Sequence, residues 1–184
     1  MATTSRLDQL TGEYVIDPAR TRIGFVVRST KITKVRGWFE RFDGVVQLDG
    51  DDPTKSSVRL TLQAASIQTR NRRRDDHLRR EFLAVEAHPT ITFASTAIRA
   101  EGSSTFMITG DLTIRGAVKP VAVTVELTRT DHDPAGGFRV GFVGRASVNR
   151  KDWGVRMISA LDNGSFVIDD RVDLLLEVSA GRRI

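Results

Sequence analysis

The chain has 184 residues, no cysteine and a formal net charge of +5. That length suits one domain, and the missing cysteines exclude a disulfide framework, a thiolate zinc site and a thiol nucleophile. No apolar run is long enough to cross a bilayer as a helix, and residues 1–10 lack the apolar core of a secretory leader, so a cytoplasmic protein is expected.

In chain order, residues 1–11 read as a flexible tail, residues 12–180 as a single domain, and residues 181–184 as a short C-terminal tail. Within the domain, apolar residues recur at every second position in short runs, the mark of strands with one oily face. Ile23, Phe25 and Val27 form one run, and Val58, Leu60, Leu62 and Ala64 alternate with Ser57, Arg59, Thr61 and Gln63. The alternation breaks between Asn71 and Val85. There Leu78, Phe82 and Val85 fall at helical spacing, with Asp75 and Asp76 where a helix start favours acids, which predicts one short helix. Strand runs resume at Ile91 and Phe93, then Phe106 and Ile108, then Val121, Val123, Val125 and Leu127. Phe138, Val140 and Phe142 follow, and the last run is Val172, Leu174, Leu176 and Val178.

Turn chemistry between the runs specifies hairpins at Asp49-Gly50-Asp51-Asp52-Pro53, Glu101-Gly102, Arg115-Gly116, Asp131 to Gly137 and Asn163-Gly164. Consecutive strands are therefore expected to be antiparallel neighbours. The fold class is all-β with one or two short helices. Strands with one apolar face must cover it and protect their edges; a closed barrel and a two-sheet sandwich both do this, and periodicity alone does not choose between them.

Few residues point to catalysis. His77, His88 and His132 show no i, i+4 pairing and no His-Glu-x-x-His run, so no metal site is expected. Ser103, Ser104 and Ser165 lie in turn-like stretches without a neighbouring base, and no Gly-x-Ser-x-Gly elbow occurs. Residues 110–116 carry no phosphate-cradling pattern. The acidic turn at Asp49, Asp51 and Asp52 opens like a calcium loop but has Leu60 at its twelfth position, where a bidentate glutamate is needed. No cofactor is expected, and the chain does not read as an enzyme.

The conspicuous charge feature is Arg70, Arg72, Arg73, Arg74, Arg79 and Arg80, with Asp75 and Asp76 in the middle. Such a run is more often a solvated helix face whose cations pair with nearby acids, here Asp75, Asp76 and Glu81, than an anion site. No aromatic side chain for base stacking lies between Arg70 and Glu81, which argues against nucleic acid as a partner.

The order of motifs resembles the YceI-like family of lipid-binding proteins over about Gly12 to Ser179. The matching stretches are Tyr14-Val15-Ile16-Asp17-Pro18, Ile23-Gly24-Phe25, Val35-Arg36-Gly37-Trp38-Phe39, Phe42-Asp43-Gly44 and Ala65-Ser66-Ile67-Gln68-Thr69. Arg74-Asp75-Asp76-His77-Leu78-Arg79 follows, then His88-Pro89-Thr90-Ile91-Thr92-Phe93, Gly110-Asp111-Leu112-Thr113-Ile114-Arg115-Gly116, and Gly141-Phe142 with Asn149-Arg150-Lys151-Asp152-Trp153-Gly154. The chain departs from the family pattern at Arg20-Thr21 and Ser29, where histidines are usual, and at Trp153, where phenylalanine is.

The resemblance implies an eight-stranded antiparallel β-barrel of lipocalin-like form that holds a polyisoprenoid, an isoprenoid quinone or a similar long amphiphile for transport or storage, and it allows a homodimer. By strand phase the expected pocket lining is Phe25, Val27, Leu60, Leu62, Ile91, Phe93, Ile108, Val123, Val125, Phe142 and Leu174, with Arg74, Asp75 and His77 at the ligand head group. Two other functions stay open: anion or nucleic-acid binding through Arg70 to Arg80, and an enzyme acting on a bound head group with His77 and Asp75.

Overall fold

A computed structural model describes residues 7–29, 34–132, 137–155 and 168–183. Among these, eleven strands form one antiparallel sheet: β1 (Gly12–Ile16), β2 (Arg22–Ser29), β3 (Lys34–Phe39), β4 (Phe42–Leu48), β5 (Ser57–Gln63), β6 (Ile67–Gln68), β7 (Thr90–Ala100), β8 (Thr105–Ile114), β9 (Ala117–His132), β10 (Phe138–Asn149) and β11 (Ile168–Arg182). The sheet closes on itself, because β1 pairs with β4 on one side and with β11 on the other.

The eleven strands make eight staves, the short β6 continuing β5 along the edge of the strands β3 and β4. β1 and β2 lie end to end along the same edge of β11, with Tyr14 opposite Arg182 and Ile23 opposite Leu176. Between them Pro18 opens a short turn capped by Asp17, whose carboxylate accepts from the Ala19 amide at 3.1 Å. The Thr21 hydroxyl donates to the Ser179 carbonyl at 3.2 Å and accepts from the Ser179 amide at 3.0 Å, so the backbone groups freed by the break are satisfied. β3 and β4 are likewise one stave, bent at Glu40 and Arg41, whose amides are met by the Ser66 carbonyl at 3.1 Å and the Ser66 hydroxyl at 3.0 Å. Counted this way, each stave neighbours the next in chain order and the last pairs with the first. This is up-and-down closure, and it decides barrel over sandwich.

The predicted helix forms, but in two parts. Asn71 caps it by accepting from the Arg74 amide at 3.0 Å, α1 runs Arg72–His77, and a π-helical turn continues over Leu78–Phe82. Ala84, with φ of 47°, ends it. At the hairpin between β8 and β9, Arg115 and Gly116 have φ of 52° and 74°, the paired left-handed geometry that a two-residue connection requires. The acidic turn at Asp49 is a plain loop: its carboxylate accepts from the Asp51 and Asp52 amides at 3.0 and 2.9 Å. Residues 133–136, and the expected Asn163-Gly164 turn, lie outside the described residues.

Residues 7–10 and 181–183 are tied to the barrel. Leu10 is buried in the core and the Tyr14 hydroxyl donates to its carbonyl at 3.0 Å, while Leu7 packs against the same cluster. Tyr14 is fully buried, and that burial pushes its phenol above the usual range. At the other terminus β11 runs on to Arg182, Gly181 faces Val15, and the Arg183 amide donates to the Glu13 carbonyl at 2.8 Å.

Candidate ligand-binding site

The inward faces of the staves surround a cavity of about 370 Å³. All eleven residues expected from strand phase line it: Phe25, Val27, Leu60, Leu62, Ile91, Phe93, Ile108, Val123, Val125, Phe142 and Leu174. Leu60, Ile108, Phe142 and Leu174 point inward yet remain only half-buried, so part of their apolar surface faces open lumen rather than packed neighbours. One end of the cavity is bordered by Leu7, Leu10 and the loop from Asp49 to Ser56. The other is bordered by Leu78, Phe82, Leu83, Trp153 and Val155.

Two inner-wall glycines shape the lumen. A Cβ on Gly37 would sit 2.2 Å from the Phe25 ring, and one on Gly110 would sit 2.4 Å from the Phe93 ring. Each ring therefore lies flat across a glycine on the neighbouring strand and does not project into the middle of the barrel. Gly37→Ala is expected to push the Phe25 ring into the lumen and lower affinity for a long apolar probe several-fold. Titration of the folded variant with a fluorescent polyene chain checks this, and unchanged affinity would mean that the ring has another place to go.

Alternation misses several lining residues: Ile16, Val35, Phe39, Val46, Leu112 and Trp153. On the β3–β4 stave the inner face reads Val35, Gly37, Phe39 and then, past the bend, Phe42, Gly44 and Val46, so glycines stand where apolar residues would carry the signal. β7 contains a bulge between Ser95 and Ala97 that returns Ile98 to the inner face one residue out of phase.

Of the three expected head-group residues, only Arg74 borders the cavity. Asp75 is 2 % exposed and turned into the segment below, accepting from the Thr69 amide at 2.9 Å and from the Thr69 hydroxyl in a short contact. It does not cap the helix, since Asn71 does. The same hydroxyl accepts from Arg74 Nε at 2.8 Å, and Arg74 Nη2 donates to the Thr69 carbonyl at 2.8 Å. Asp75 thus holds Thr69, and Thr69 holds the guanidinium. His77 packs edge-on against the Phe82 ring at 5.3 Å, and its Nε2 is buried with no hydrogen-bond partner among the described residues. Asp75→Ala strands the Thr69 amide and frees Arg74, and is expected to destabilise the fold by about 1.5–3 kcal/mol, measured as a shift in urea unfolding.

The remaining charged side chains on the lining are Arg28 and Arg150 at the same end as Arg74, and Asp49 at the opposite end. Arg150 is held by the Asp170 carboxylate at 3.2 Å and the Val155 carbonyl at 2.8 Å. Among the described residues, no group of three His, Asp or Glu side chains is placed to hold a metal ion. His88 and His132 sit away from the cavity, His88 beside Gly116 and His132 tilted against the Phe138 ring, with ring centres 3.9 Å apart.

Comparison with known proteins adds to this geometry. The description of a YceI-like domain matches residues 14–180. The chain belongs to the YceI-like family. Its relatives include a UPF0312 protein of Azotobacter vinelandii, 34 % identical over 177 residues that cover 95 % of this chain and 89 % of the relative. A UPF0312 protein of Pseudomonas aeruginosa is 36 % identical with the same coverage. Among solved structures, Burkholderia cenocepacia BcnA superposes with a TM-score of 0.78 at 22 % identity, covering 89 % of this chain and 98 % of that one. A polyisoprenoid binding domain from Saccharophagus degradans, implicated in plant cell wall breakdown, superposes with a TM-score of 0.74 at 15 % identity, covering 92 % and 98 %. The barrel fold is thus shared with chains of low identity to this one.

Proposed function

We propose that this YceI-like protein is a carrier for a long hydrophobic chain of the polyisoprenoid class, held in the lumen of its barrel, and that it binds this chain without transforming it. The observation that carries the reading is the cavity itself. It is bordered by apolar side chains from every stave, and its few charged groups sit only at the ends. Burying each methylene there contributes about 0.8 kcal/mol, so a chain of a few prenyl units binds without specific polar contacts, with part of the gain offset by ordering the flexible ligand. The polyisoprenoid-binding activity named for the Saccharophagus degradans neighbour supports the same ligand class.

On this reading the polar head lies at the arginine end, where Arg74 meets it directly and Asp75 acts through Thr69 by fixing the guanidinium. His77 contributes by packing on Phe82, which itself borders the lumen. Binding in place of turnover is favoured because Asp75 is committed to Thr69 and His77 is turned onto Phe82, so neither is presented to the lumen.

Solvent extraction of the purified protein followed by mass spectrometry is expected to yield a prenyl chain at close to one per barrel. Extract free of long apolar molecules, combined with no binding of an added polyprenol, would overturn the reading. Arg74→Ala is expected to weaken retention of a polar-headed chain about tenfold while leaving a headless hydrocarbon probe unaffected, as fits the loss of one charge-assisted contact.

A further inference from the structure

The outer surface beside the arginine end carries a charge pattern that lumen binding does not use. Three stretches contribute to it: residues 22–28 of β2, residues 34–39 of β3, and residues 67–74, which include β6 and the start of α1. None of the three contains an acidic residue. They are contiguous in space, since β2 pairs with β3 and β3 with β6, where Trp38 faces Gln68. Because Val35 and Phe39 line the lumen, Lys34, Arg36 and Trp38 face outward from β3. Arg28, Lys34, Arg36, Arg70, Arg72 and Arg73 are all exposed, and none forms an ion pair among the described residues.

In the middle stands Trp38, half-buried, with the Arg22 guanidinium 4.9 Å and the Arg70 guanidinium 5.4 Å from its ring centre. Arg70 holds this place with φ of 62°, a left-handed backbone that arginine seldom adopts. The acids that approach the patch from neighbouring elements are few. Glu177 of β11 lies opposite Arg22, Glu40 follows β3 at the bend, and Asp173 of β11 lies opposite Val26. Asp173 is engaged by the Ser147 hydroxyl at 2.7 Å and Arg171 Nε at 2.9 Å, and Arg28 is the patch cation that also acts on it electrostatically. Asp76 is engaged by Arg79 at 3.0 Å.

We propose that this face docks the barrel on an anionic lipid surface, with the basic residues meeting lipid phosphates and Trp38 seated at the headgroup level. The inference goes beyond lumen binding but adjoins it. A basic strip with an interfacial tryptophan is the chemistry that an anionic leaflet recognises, and here it surrounds the end of the cavity where Arg28 and Arg74 reach the rim. A single-stranded polynucleotide would also meet the cations, but it needs an aromatic face free for base stacking, and the Trp38 ring is already covered by two guanidinium groups. The lipid surface is therefore the better match.

The test is cosedimentation of the full chain with vesicles of phosphatidylcholine containing phosphatidylglycerol, against vesicles of phosphatidylcholine alone. The expected result is binding to the first only, weakening as salt is raised. Each basic residue near an anionic surface is worth roughly fivefold in affinity, so combined Arg36→Glu, Arg72→Glu and Arg73→Glu is expected to lower it at least about a hundredfold. Arg59→Glu with Arg145→Glu, exposed on other staves, should change it little. A blue shift of tryptophan emission on binding that disappears in Trp38→Phe places the contact, since Trp153 is buried. No binding to the anionic vesicles, equal binding of the triple variant and the parent, or binding to a polynucleotide with none to vesicles would each overturn the proposal. Uptake of a polyprenol measured without vesicles reports on the lumen separately, so failure of one reading leaves the other standing.

Discussion

Trp153→Ala is expected to cost about 3–5 kcal/mol of stability. Trp153 is 3 % exposed and packs with Val121, Val123 and Val125, while its indole Nε1 donates to the Leu112 carbonyl at 2.8 Å. The position is fixed from both sides: Asn149 caps the short turn by accepting from the Lys151 amide at 3.0 Å, and Gly154 leaves it with φ of 72°. With the backbone held, the cavity left by alanine has little room to collapse, and the Leu112 carbonyl loses its partner. Trp153→Phe keeps most of the packing and gives up the hydrogen bond, so its cost should be nearer 1 kcal/mol. Urea unfolding of the two variants separates the contributions. Equal losses would mean that the hydrogen bond, and not the filled volume, dominates.

Filling the lumen is expected to have the largest effect on ligand. Ile108→Trp and Leu174→Trp each place an indole where a half-buried aliphatic side chain now faces open space. Displacing about four ligand methylenes at ~0.8 kcal/mol each removes roughly 3 kcal/mol, which is about a hundredfold in affinity. Because the indole enters existing space, stability should fall by no more than the ~1–3 kcal/mol typical of overpacking. Binding of a polyprenol probe, compared with urea unfolding of the same variants, reads both quantities. Full affinity in both tryptophan variants would place the ligand outside the lumen.

The arginine run shows how far a charge pattern can be read without a fold. Its cations divide by tertiary neighbours: Arg79 ties down the Ala65 and Ile67 carbonyls at 2.8 and 3.1 Å, Arg74 is held by Thr69, and Arg70 lies over Trp38. Trp38 is more than thirty residues away in sequence, so the aromatic missing between Arg70 and Glu81 is supplied by another strand. A solvated helix face describes Arg72, Arg73 and Arg80, the last reaching only the Asp76 carbonyl of its own helix at 3.4 Å, but not Arg70, Arg74 or Arg79.

Strand phase is a local property, and it was legible wherever inward positions hold apolar side chains: Leu60 and Leu62, Val123 and Val125, and Leu174 all face the lumen as alternation requires. The helix and the Arg115-Gly116 hairpin were legible for the same reason, since spacing and turn chemistry act within a few residues. Closure was not, because it depends on Tyr14 meeting Arg182 and Ile23 meeting Leu176, pairings between opposite ends of the chain that a sandwich pattern would share locally. The β3–β4 stave was hidden because Gly37 and Gly44 make room on its inner face for side chains of neighbouring strands. The separation of Arg74 from Asp75 and His77 was also decided only in three dimensions. On one short helix, adjacent residues point in different directions, and only the surrounding strands determine which direction is the cavity.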